Sequence, residues 1–431
     1  MLIYLNKVRQ GAIGIDIIVH RGTHQIGGSC IEMSTDNTRI LFDIGKELPT
    51  LNSNTTGAND TTFDWSRLFS QKRPVDAVII SHYHGDHIGH LDVVPQTVPI
   101  VMGEKAAGIY NIMGKFTDAH THVKSAQYLV HQQEIKIGEF TIIPFLVDHS
   151  AFDAYAFLIE AEGKKVIYTG DLRTHGNKAG LMNAFLVNLP SLVDAILIEG
   201  TMMSRLTEKV LTEKQIGEEA QVFMNQPDRP IFVVQSSTNI DRLVQMYKAA
   251  KRSKRLFVMD IYTANVVSVL GGRIPNPQSF KDVRVFYPYH LTKKMFELPG
   301  NHEEMFRFSR YRISSNELAN RKDYCMLIRD SMLFDLENRL GNIEGAGVIY
   351  SMWKGYLQSE KIKKLIDFCK QKNIEIVCLH TSGHADVESL KRIVQACSPQ
   401  KIIPVHTEYP ERFMEIFGNV VIADDGQTIS I

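Results

Sequence analysis

The sequence has few cysteines, and they follow no regular spacing. They are Cys30, Cys325, Cys369, Cys378 and Cys397, and no two of them form a C-x-x-C pair. An odd, scattered set does not suit a disulfide framework or a zinc site built from thiolates. We therefore expect buried, reduced thiols.

Long uninterrupted apolar runs are also lacking. Lys7, Arg9 and Asp16 break up the first twenty residues, which therefore lack the apolar core of a signal peptide. No uncharged apolar stretch reaches the 18 or so residues needed to cross a bilayer. The sequence predicts a cytoplasmic protein with no membrane contact, and its 431 residues favour two domains over one.

The chain has no net charge, but its charges are unevenly distributed. Residues 201–370 hold 27 Lys and Arg against 19 Asp and Glu, a net charge of +8, and the remainder carries the balancing −8. A cationic face for a polyanion would produce this division. Charges scattered over the surface of a long segment would produce it equally well.

Hydrophobic patterns divide the chain into three parts. Apolar strand-like runs such as "TRILFDIG" and "KKVIYTGD" dominate up to about residue 200, and helical patterns take over after residue 205. Strand and helix alternation resumes near residue 371, and no Gly/Ser-rich linker separates the parts. We predict an α/β protein with a first domain over residues 1–204, an inserted domain over 205–370 and a completing segment over 371–431.

Several apolar strands stop at a residue that can bind metal or transfer a proton. One such histidine is usually only a polar residue leaving the core, but the pattern recurs along the chain. In layered α/β proteins the carboxyl ends of strands form one edge, where sites assemble. We therefore expect these residues to converge: His82, His149, Asp171, Glu199, His380 with the following His384, and His406.

Residues 81–90 read "SHYHGDHIGH" and contain the densest cluster of candidate ligands. The H-x-H-x-D-H spacing does not fit one helix face, because residues two apart point in different directions. On a turn after a strand, His82 and His84 can bind one cation while Asp86 and His87 bind another. Imidazole and carboxylate ligands suit zinc, with manganese favoured where oxygen ligands dominate. The absence of nearby thiolates favours a catalytic site over a structural one.

These residues resemble a known family. "SHYHGDH", with "FDIG" before it and "DHS" and "TGD" after it, is similar to the metallo-β-lactamase fold of metallohydrolases over residues 12–200. The resemblance implies an αββα sandwich with two divalent metal ions at one edge. It implies that His82, His84 and His149 bind one ion and that Asp86 and His87 bind the other. Asp171 would bridge the two ions, with Asp43 in support.

Three later segments, "LIEGT", "HTSGHAD" and "PVHTEYPERF", resemble the additional motifs of the β-CASP branch, whose members process nucleic acids. Their order is similar to that in ribonuclease J and in the pre-mRNA 3′-end endonucleases. The resemblance implies that His406 completes the second metal site. It also implies that His384, supported by Glu199, contacts the scissile phosphate or protonates the leaving group. A histidine at the last motif is typical of members that act on RNA.

The resemblance therefore predicts a two-metal ribonuclease that hydrolyses single-stranded RNA with metal-activated water, internally or from the 5′ end. Asp86, His384 and Glu199 are the expected catalytic residues. Rival hypotheses are a DNA nuclease of the same branch, a metallohydrolase of small molecules and a catalytically silent RNA-binding subunit. The sequence ends at Ile431, without the C-terminal domain that ribonuclease J uses to self-associate, so a homodimer is left open.

The segment "QSSTNIDR" (235–242) resembles the stretch that holds a 5′-terminal phosphate in ribonuclease J relatives. It offers Ser236, Ser237 and Asn239 at the start of a predicted helix, where an anion can bind. Ordinary helix capping explains the same residues equally well. His380 and Ser382 are further candidates for substrate contact. The segments "FRFSRYR" and "SMWKGYL" combine cations with aromatic rings, as a channel for a single strand does.

Overall fold

The computed structural model describes residues 14–48, 63–117, 122–208, 210–298, 300 and 302–431. It contains three sheets, which we number by strand in chain order. The first sheet has the order β19-β1-β2-β3-β4-β5-β6. Its strands are β1 Asp16–Arg21, β2 Cys30–Ser34, β3 Arg39–Phe42, β4 Ala77–Ile79, β5 Ile100–Gly103, β6 Gln127–Leu129 and β19 Thr428–Ser430.

The second sheet has the order β18-β11-β10-β9-β8-β7. Its strands are β7 Ile135–Ile137, β8 Phe140–Leu146, β9 Tyr155–Ala161, β10 Lys164–Tyr168, β11 Ala195–Glu199 and β18 Lys401–Val405. Strands β10, β11 and β18 are parallel, so their carboxyl ends lie at one edge. Both sheets use the C-terminal segment: β19 pairs with β1, and β18 pairs with β11.

The third sheet is entirely parallel and has the order β14-β13-β15-β12-β16-β17. Its strands are β12 Ile231–Val234, β13 Leu256–Asp260, β14 Val283–Phe286, β15 Tyr324–Ile328, β16 Gly347–Tyr350 and β17 Glu375–Cys378. Strand β17 pairs with β16 rather than with either sheet of the first domain. By strand pairing, β17 therefore belongs to the third sheet, and the expected boundary of the insert at residue 370 stays a prediction.

Helices cover the outer faces of the sheets. They are α1 Trp65–Phe69, α2 Gly85–Ile88, α3 Glu104–Phe116, α4 Leu181–Asn188, α5 Glu213–Met224, α6 Ile240–Arg252, α7 Ile261–Ser268, α8 Tyr289–Glu297, α9 His302–Phe306, α10 Ser315–Ala319, α11 Leu333–Asn338, α12 Glu360–Gln371 and α13 Val387–Cys397. Short 3-10 helices span Leu91–Val93, Thr201–Arg205, Ser309–Tyr311, Asp330–Met332, Lys354–Gln358 and Pro410–Glu415. No helix in the described ranges has the length and hydropathy of a membrane span, and the expected cytoplasmic location stays a prediction.

Alternation along the strands builds the layers. In β3, Ile40 and Phe42 pack into the core between the first two sheets, whereas Leu41 packs against the helical layer. In β12, Ile231 and Phe232 likewise belong to cores on opposite faces of the third sheet. Strands buried on both faces carry continuous apolar runs, as these do. The αββα sandwich with an inserted α/β domain, predicted from the sequence, is confirmed.

Candidate metal centre

The predicted site residues follow the carboxyl ends of strands in all three sheets. Strands β3 and β4 are parallel in the first sheet, and β10, β11 and β18 are parallel in the second. The residues at or shortly after these ends are Asp43 (β3), His82 (β4), His149 (β8), Asp171 (β10), Glu199 (β11), His406 (β18) and His384 (β17). The structure brings them together at one place, although they are distant in the chain.

His82, His84 and His149 form a first ligand set. One ring nitrogen from each lies within 4.8 Å of the others, and His149 Nε2 is 3.1 Å from His84 Nδ1. His149 Nδ1 is 2.7 Å from the carbonyl oxygen of Gly383. Because a carbonyl only accepts, that nitrogen carries the proton, and the lone pair of Nε2 faces the cluster.

Asp86, His87, Asp171 and His406 form a second set, also within 4.8 Å. His406 Nε2 is 3.2 Å from Asp86 Oδ2, and His87 Nε2 is 3.2 Å from Asp171 Oδ2. The same Asp171 oxygen is 3.9 Å from His82 Nε2 of the first set. Asp171 therefore lies between the two sets.

Buried polar atoms of these side chains are placed to bind divalent cations. His82 Nε2, His87 Nε2 and Asp171 Oδ1 are buried, and none has a hydrogen-bond partner within the described part of the chain. Buried polar atoms in native proteins are rarely left without a partner, and a metal ion would use these atoms. Burial also lowers the pKa of His82 and of His149 well below the ordinary value and that of His84 to about 4. These rings are therefore neutral, as metal ligation requires.

The two carboxylates of the second set are ionised. Burial alone would raise their pKa values, but neighbouring histidines lower them. His406 and His87 hold the pKa of Asp86 below its usual range, and together with His384 they hold that of Asp171 well below it. Both side chains are therefore available as anionic ligands.

Asp43 orients the ring of His87. Its carboxylate is fully buried and accepts hydrogen bonds from Ser81 N (2.7 Å), Ser81 Oγ (2.8 Å) and Tyr168 OH (2.6 Å). Its Oδ2 is also 2.8 Å from His87 Nδ1. Burial would lower the pKa of His87, but the charges of Asp171 and Asp43 raise it well above the ordinary value. The Asp43 contact fixes the ring so that Nε2 points towards Asp171.

The segment after Asp43 also fixes the metal-binding loop through its backbone. Ile44 N donates to His87 O (2.7 Å), and Lys46 N donates to Gly85 O (2.9 Å). A β-carbon at Gly45 would lie only 1.7 Å from the carbonyl oxygen of Asp86. Only glycine permits this approach, which accounts for the "FDIG" motif.

His384 and Glu199 form a pair beside the second ligand set. His384 Nδ1 is 3.1 Å from Glu199 Oε2 and 3.6 Å from Asp171 Oδ2. Burial would lower the pKa of His384, but Glu199 and Asp171 raise it to about 9. Ligand atoms of Asp171, Glu199, His384 and His406 also lie within 4.8 Å of one another. His384 could therefore serve either as a proton donor or as a further ligand.

His406 is held in a strained backbone conformation. Its φ is +53°, which non-glycine residues adopt only where the surroundings hold them. Its backbone N donates to Gly22 O (2.7 Å), and its ring Nδ1 is 2.8 Å from Thr201 Oγ1. Thr201 is a supporting residue that sequence reasoning missed, although it lies in the "EGT" segment next to Glu199.

The five predicted substrate-binding residues differ in their availability. Ser236 is exposed, whereas Ser237 is buried and its Oγ accepts from Thr263 Oγ1 (2.8 Å). Asn239 caps α6 by accepting from Arg242 N (3.0 Å), so capping occupies its oxygen.

Ser382 and His380 lie in the segment that carries His384. Ser382 Oγ accepts from His384 N (3.1 Å), which supports the turn. His380 is half-buried, and its Nδ1 has no hydrogen-bond partner among the residues described. A direct substrate contact by either residue stays a prediction.

Tyr83 connects the metal-binding loop to the insert, and sequence reasoning missed it. It is fully buried, and its hydroxyl donates to Thr238 O and accepts from Phe152 N, both at 2.8 Å. Alternation along "HYH" places its ring opposite the histidines. A tyrosine in an apolar core gives no sequence signal of such a bridge.

A buried ionic cluster joins the insert to the segment after Asp171, and it too was missed. Arg173 donates to Glu213 Oε1 (3.0 Å), Asp241 Oδ2 (2.6 Å) and the carbonyl oxygen of Ser382 (3.3 Å). Arg242 donates to both oxygens of Glu213, at 2.8 and 3.0 Å. The side chains of Arg173, Arg242 and Glu213 are all inaccessible to solvent.

Two family models match the chain. Residues 38–210 match a model described as a beta-lactamase superfamily domain. Residues 362–412 match a model described as a Zn-dependent metallo-hydrolase RNA specificity domain. The first match contains the two ligand sets except His406, and the second contains His384 and His406.

Curated relatives extend the likeness over most of the chain. Ribonuclease J of Helicobacter pylori (strain B128) is 22% identical over 404 residues, covering 90% of this chain and 55% of that protein. The chain thus spans about half the length of that relative. The RNase J-like protein of Methanocaldococcus jannaschii is 24% identical over 423 residues, covering 90% of this chain and 91% of that protein.

A solved structure shares the fold. The crystal structure of a protein of unknown function from Enterococcus faecalis V583 matches with a TM-score of 0.77 and 22% sequence identity. The match covers 97% of this chain and all of the other. The arrangement of sandwich and insert is therefore shared with a second protein over nearly the whole chain.

Proposed function

We propose a function for this chain as a member of the metallo-β-lactamase superfamily, in its β-CASP branch, that resembles ribonuclease J. The proposed activity is metal-dependent hydrolysis of phosphodiester bonds in single-stranded RNA, internally or from the 5′ end. The observation that carries it is the position of His384. Its Nδ1 is hydrogen-bonded to Glu199 and lies 3.6 Å from Asp171 Oδ2, between the two ligand sets. A proton donor next to two ligand sets is what cleavage of a P–O bond needs.

The proposed cofactor is a pair of divalent metal ions, with zinc preferred and manganese as the alternative. His82, His84 and His149 would hold one ion, and Asp86, His87 and His406 would hold the other. Asp171 would contact both ions. When bound, such a pair supplies Lewis acidity to a phosphate oxygen and lowers the pKa of a water molecule.

In this proposal the protein's own side chains position the water and move the proton. Asp86 is the most exposed carboxylate of the second set, at 12%, so it can orient the attacking water. The water loses a proton to solvent as its oxygen bonds to phosphorus. The bond from phosphorus to the leaving oxygen breaks, and His384 gives that oxygen a proton. Glu199 holds His384 Nδ1, which leaves Nε2 for this transfer.

RNA is the proposed substrate for two reasons. Residues 201–370, which include the insert, carry a net charge of +8, and positive charge favours binding of a polyanion. The histidine at position 406 is typical of the RNA-acting members that this chain resembles. Exposed Ser236, at the start of α6, is the proposed contact for a 5′-terminal phosphate.

Digestion of matched RNA and DNA strands by the metal-loaded protein tests the proposed function. We expect cleavage of single-stranded RNA and much slower cleavage of DNA. RNAs ending in a 5′-monophosphate, triphosphate or hydroxyl, with products sized, test the 5′-phosphate contact in the same assay. If the protein hydrolyses a thioester or a lactam and leaves RNA uncleaved, the result would contradict the proposal and favour a small-molecule metallohydrolase.

Loss of the Asp43 carboxylate, which orients the ring of His87, should weaken metal binding. We expect the Asp43→Ala variant to lose about 10- to 100-fold in metal affinity, because Asp43 fixes the ring of a ligand. Competition with a chromophoric chelator measures this change. The Asp36→Ala variant, changed at an exposed carboxylate, is the matched control. Unaltered metal affinity in a folded Asp43→Ala protein would refute the supporting role.

A further inference from the structure

The loop after β16 lies between two loops that touch the metal centre. In the third sheet β16 is flanked by β12 and β17, and all three strands are parallel. The segments that follow these strands therefore leave the sheet at the same edge, with the β16 loop in the middle. Ser351, which begins this loop, accepts from Arg242 Nη1 at its carbonyl oxygen (3.2 Å) and donates to Leu379 O (2.5 Å).

The two outer loops contact the residues around the metal ligands. Thr238, after β12, accepts from Tyr83 OH (2.8 Å). Gly383, after β17, accepts from His149 Nδ1 (2.7 Å). The β16 loop leaves the sheet between these two loops. In keeping with this position, burial and then the charge of Asp86 raise the pKa of the Tyr356 phenol.

Two aromatic residues of this loop are partly exposed and are held in place. Trp353 and Tyr356 each expose 39% of their surface, and their ring centroids lie 5.5 Å apart at 89°. Tyr356 N and Tyr350 OH both donate to Trp353 O, at 3.1 and 3.3 Å. A β-carbon at Gly355 would lie 2.1 Å from the indole ring, so the ring packs directly on this backbone. The indole is therefore a rigid surface open to solvent.

We propose that Trp353 and Tyr356 form a stacking subsite for a nucleobase of single-stranded RNA next to the bond that is cleaved. This inference rests on the proposed function, since it takes the metal centre as the place of cleavage. Every base presents a flat π-face, so such a subsite accepts any sequence. The exposed Lys354 between the two rings adds a positive charge for the neighbouring phosphate.

Tryptophan fluorescence reports on this subsite directly. The chain has two tryptophans, of which Trp65 is buried and Trp353 is exposed. The His384→Ala protein is used so that the RNA stays uncleaved, and this protein is titrated with oligouridylate and oligoadenylate. We expect saturable quenching with both, and no quenching when Trp353→Phe is added. The difference between the two proteins isolates the signal of Trp353.

Affinity gives a second readout. Removing one stacking ring in Trp353→Ala should weaken oligonucleotide binding about 5- to 150-fold, whereas Trp353→Phe, which keeps a ring, should retain most of the affinity. An oligonucleotide with abasic positions should bind the wild-type protein more weakly than the intact oligonucleotide does. The Trp353→Ala protein should bind the two oligonucleotides with similar affinity. Equal affinity of Trp353→Ala and wild type, with no quenching, would overturn the stacking subsite. Cleavage of RNA by the wild-type protein decides the proposed function separately.

Discussion

The His384→Ala variant is expected to cleave single-stranded RNA about 10²- to 10⁴-fold more slowly than the wild-type protein, the range that a positioned proton donor contributes. The substitution removes the imidazole bonded to Glu199 Oε2 at 3.1 Å. It leaves both ligand sets intact, since neither set contains His384. The loss should therefore appear in the rate of a single turnover, with metal content and RNA affinity close to those of wild type.

Metal analysis of this variant separates the two roles that the geometry allows for His384. As a proton donor, its loss leaves the metal content unchanged. A fall in metal content parallel to the fall in rate would instead identify His384 as a ligand, through its contacts with Asp171 and Glu199. His302→Ala, changed at an exposed histidine of the insert, is the control and should cleave at the wild-type rate. Cleavage by His384→Ala within about threefold of wild type would refute its catalytic role, given the 10²-fold minimum expected.

The Glu213→Ala variant is expected to lose about 3–5 kcal/mol in its free energy of unfolding, the usual cost of breaking a buried ion pair from one side. Glu213 accepts hydrogen bonds from both Arg173 and Arg242, and none of these three side chains is accessible to solvent. Without the carboxylate, two guanidinium groups stay buried with part of their charge uncompensated. Urea unfolding measures the change.

Glu218→Ala on the same helix is the matched control. Glu218 is 52% exposed and lies 3.7 Å from Lys214, so its removal should change the free energy of unfolding by less than about 0.5 kcal/mol. Similar changes in both variants would show that the buried cluster contributes no more than a surface pair.

Acid titration provides an independent check on the cluster. Burial would raise the pKa of Glu213, but Arg242 and Arg173 lower it from 4.5 to about 2. Because the folded pKa lies below the unfolded one, Glu213 stabilises the protein fully above pH 4.5, and this contribution is lost as the pH falls towards 2. The difference in unfolding free energy between wild type and Glu213→Gln should narrow over this interval. A difference independent of pH would contradict the ionised cluster.

Much of the fold and the candidate site could be predicted from the sequence because the information is local. Continuous apolar runs identify buried strands, and a histidine or carboxylate directly after such a run marks the carboxyl end of a strand. Parallel strands then bring Asp171, Glu199 and His406 to one edge, as expected. The sandwich and the insert were predicted correctly, and the metal roles of individual residues stay predictions.

Other features depend on contacts between distant segments and leave no local pattern. The strand Glu375–Cys378 has the same apolar character whichever sheet it joins, and only its pairing with β16 places it in the third sheet. Arg173 and Glu213 are separated by 40 residues, and either would pass as a surface charge in the sequence. Tyr83 looks like an ordinary core aromatic residue until its hydroxyl is seen to meet Thr238.

We propose that this chain hydrolyses RNA with two metal ions held by the two ligand sets. The most direct test strips the protein with a chelator, adds zinc or manganese back in steps and follows cleavage of end-labelled single-stranded RNA. We expect no cleavage by the stripped protein, recovery that levels off at two ions per chain, and no recovery in Asp86→Ala. Full cleavage by the stripped protein, or equal cleavage by wild type and Asp86→Ala, would contradict it.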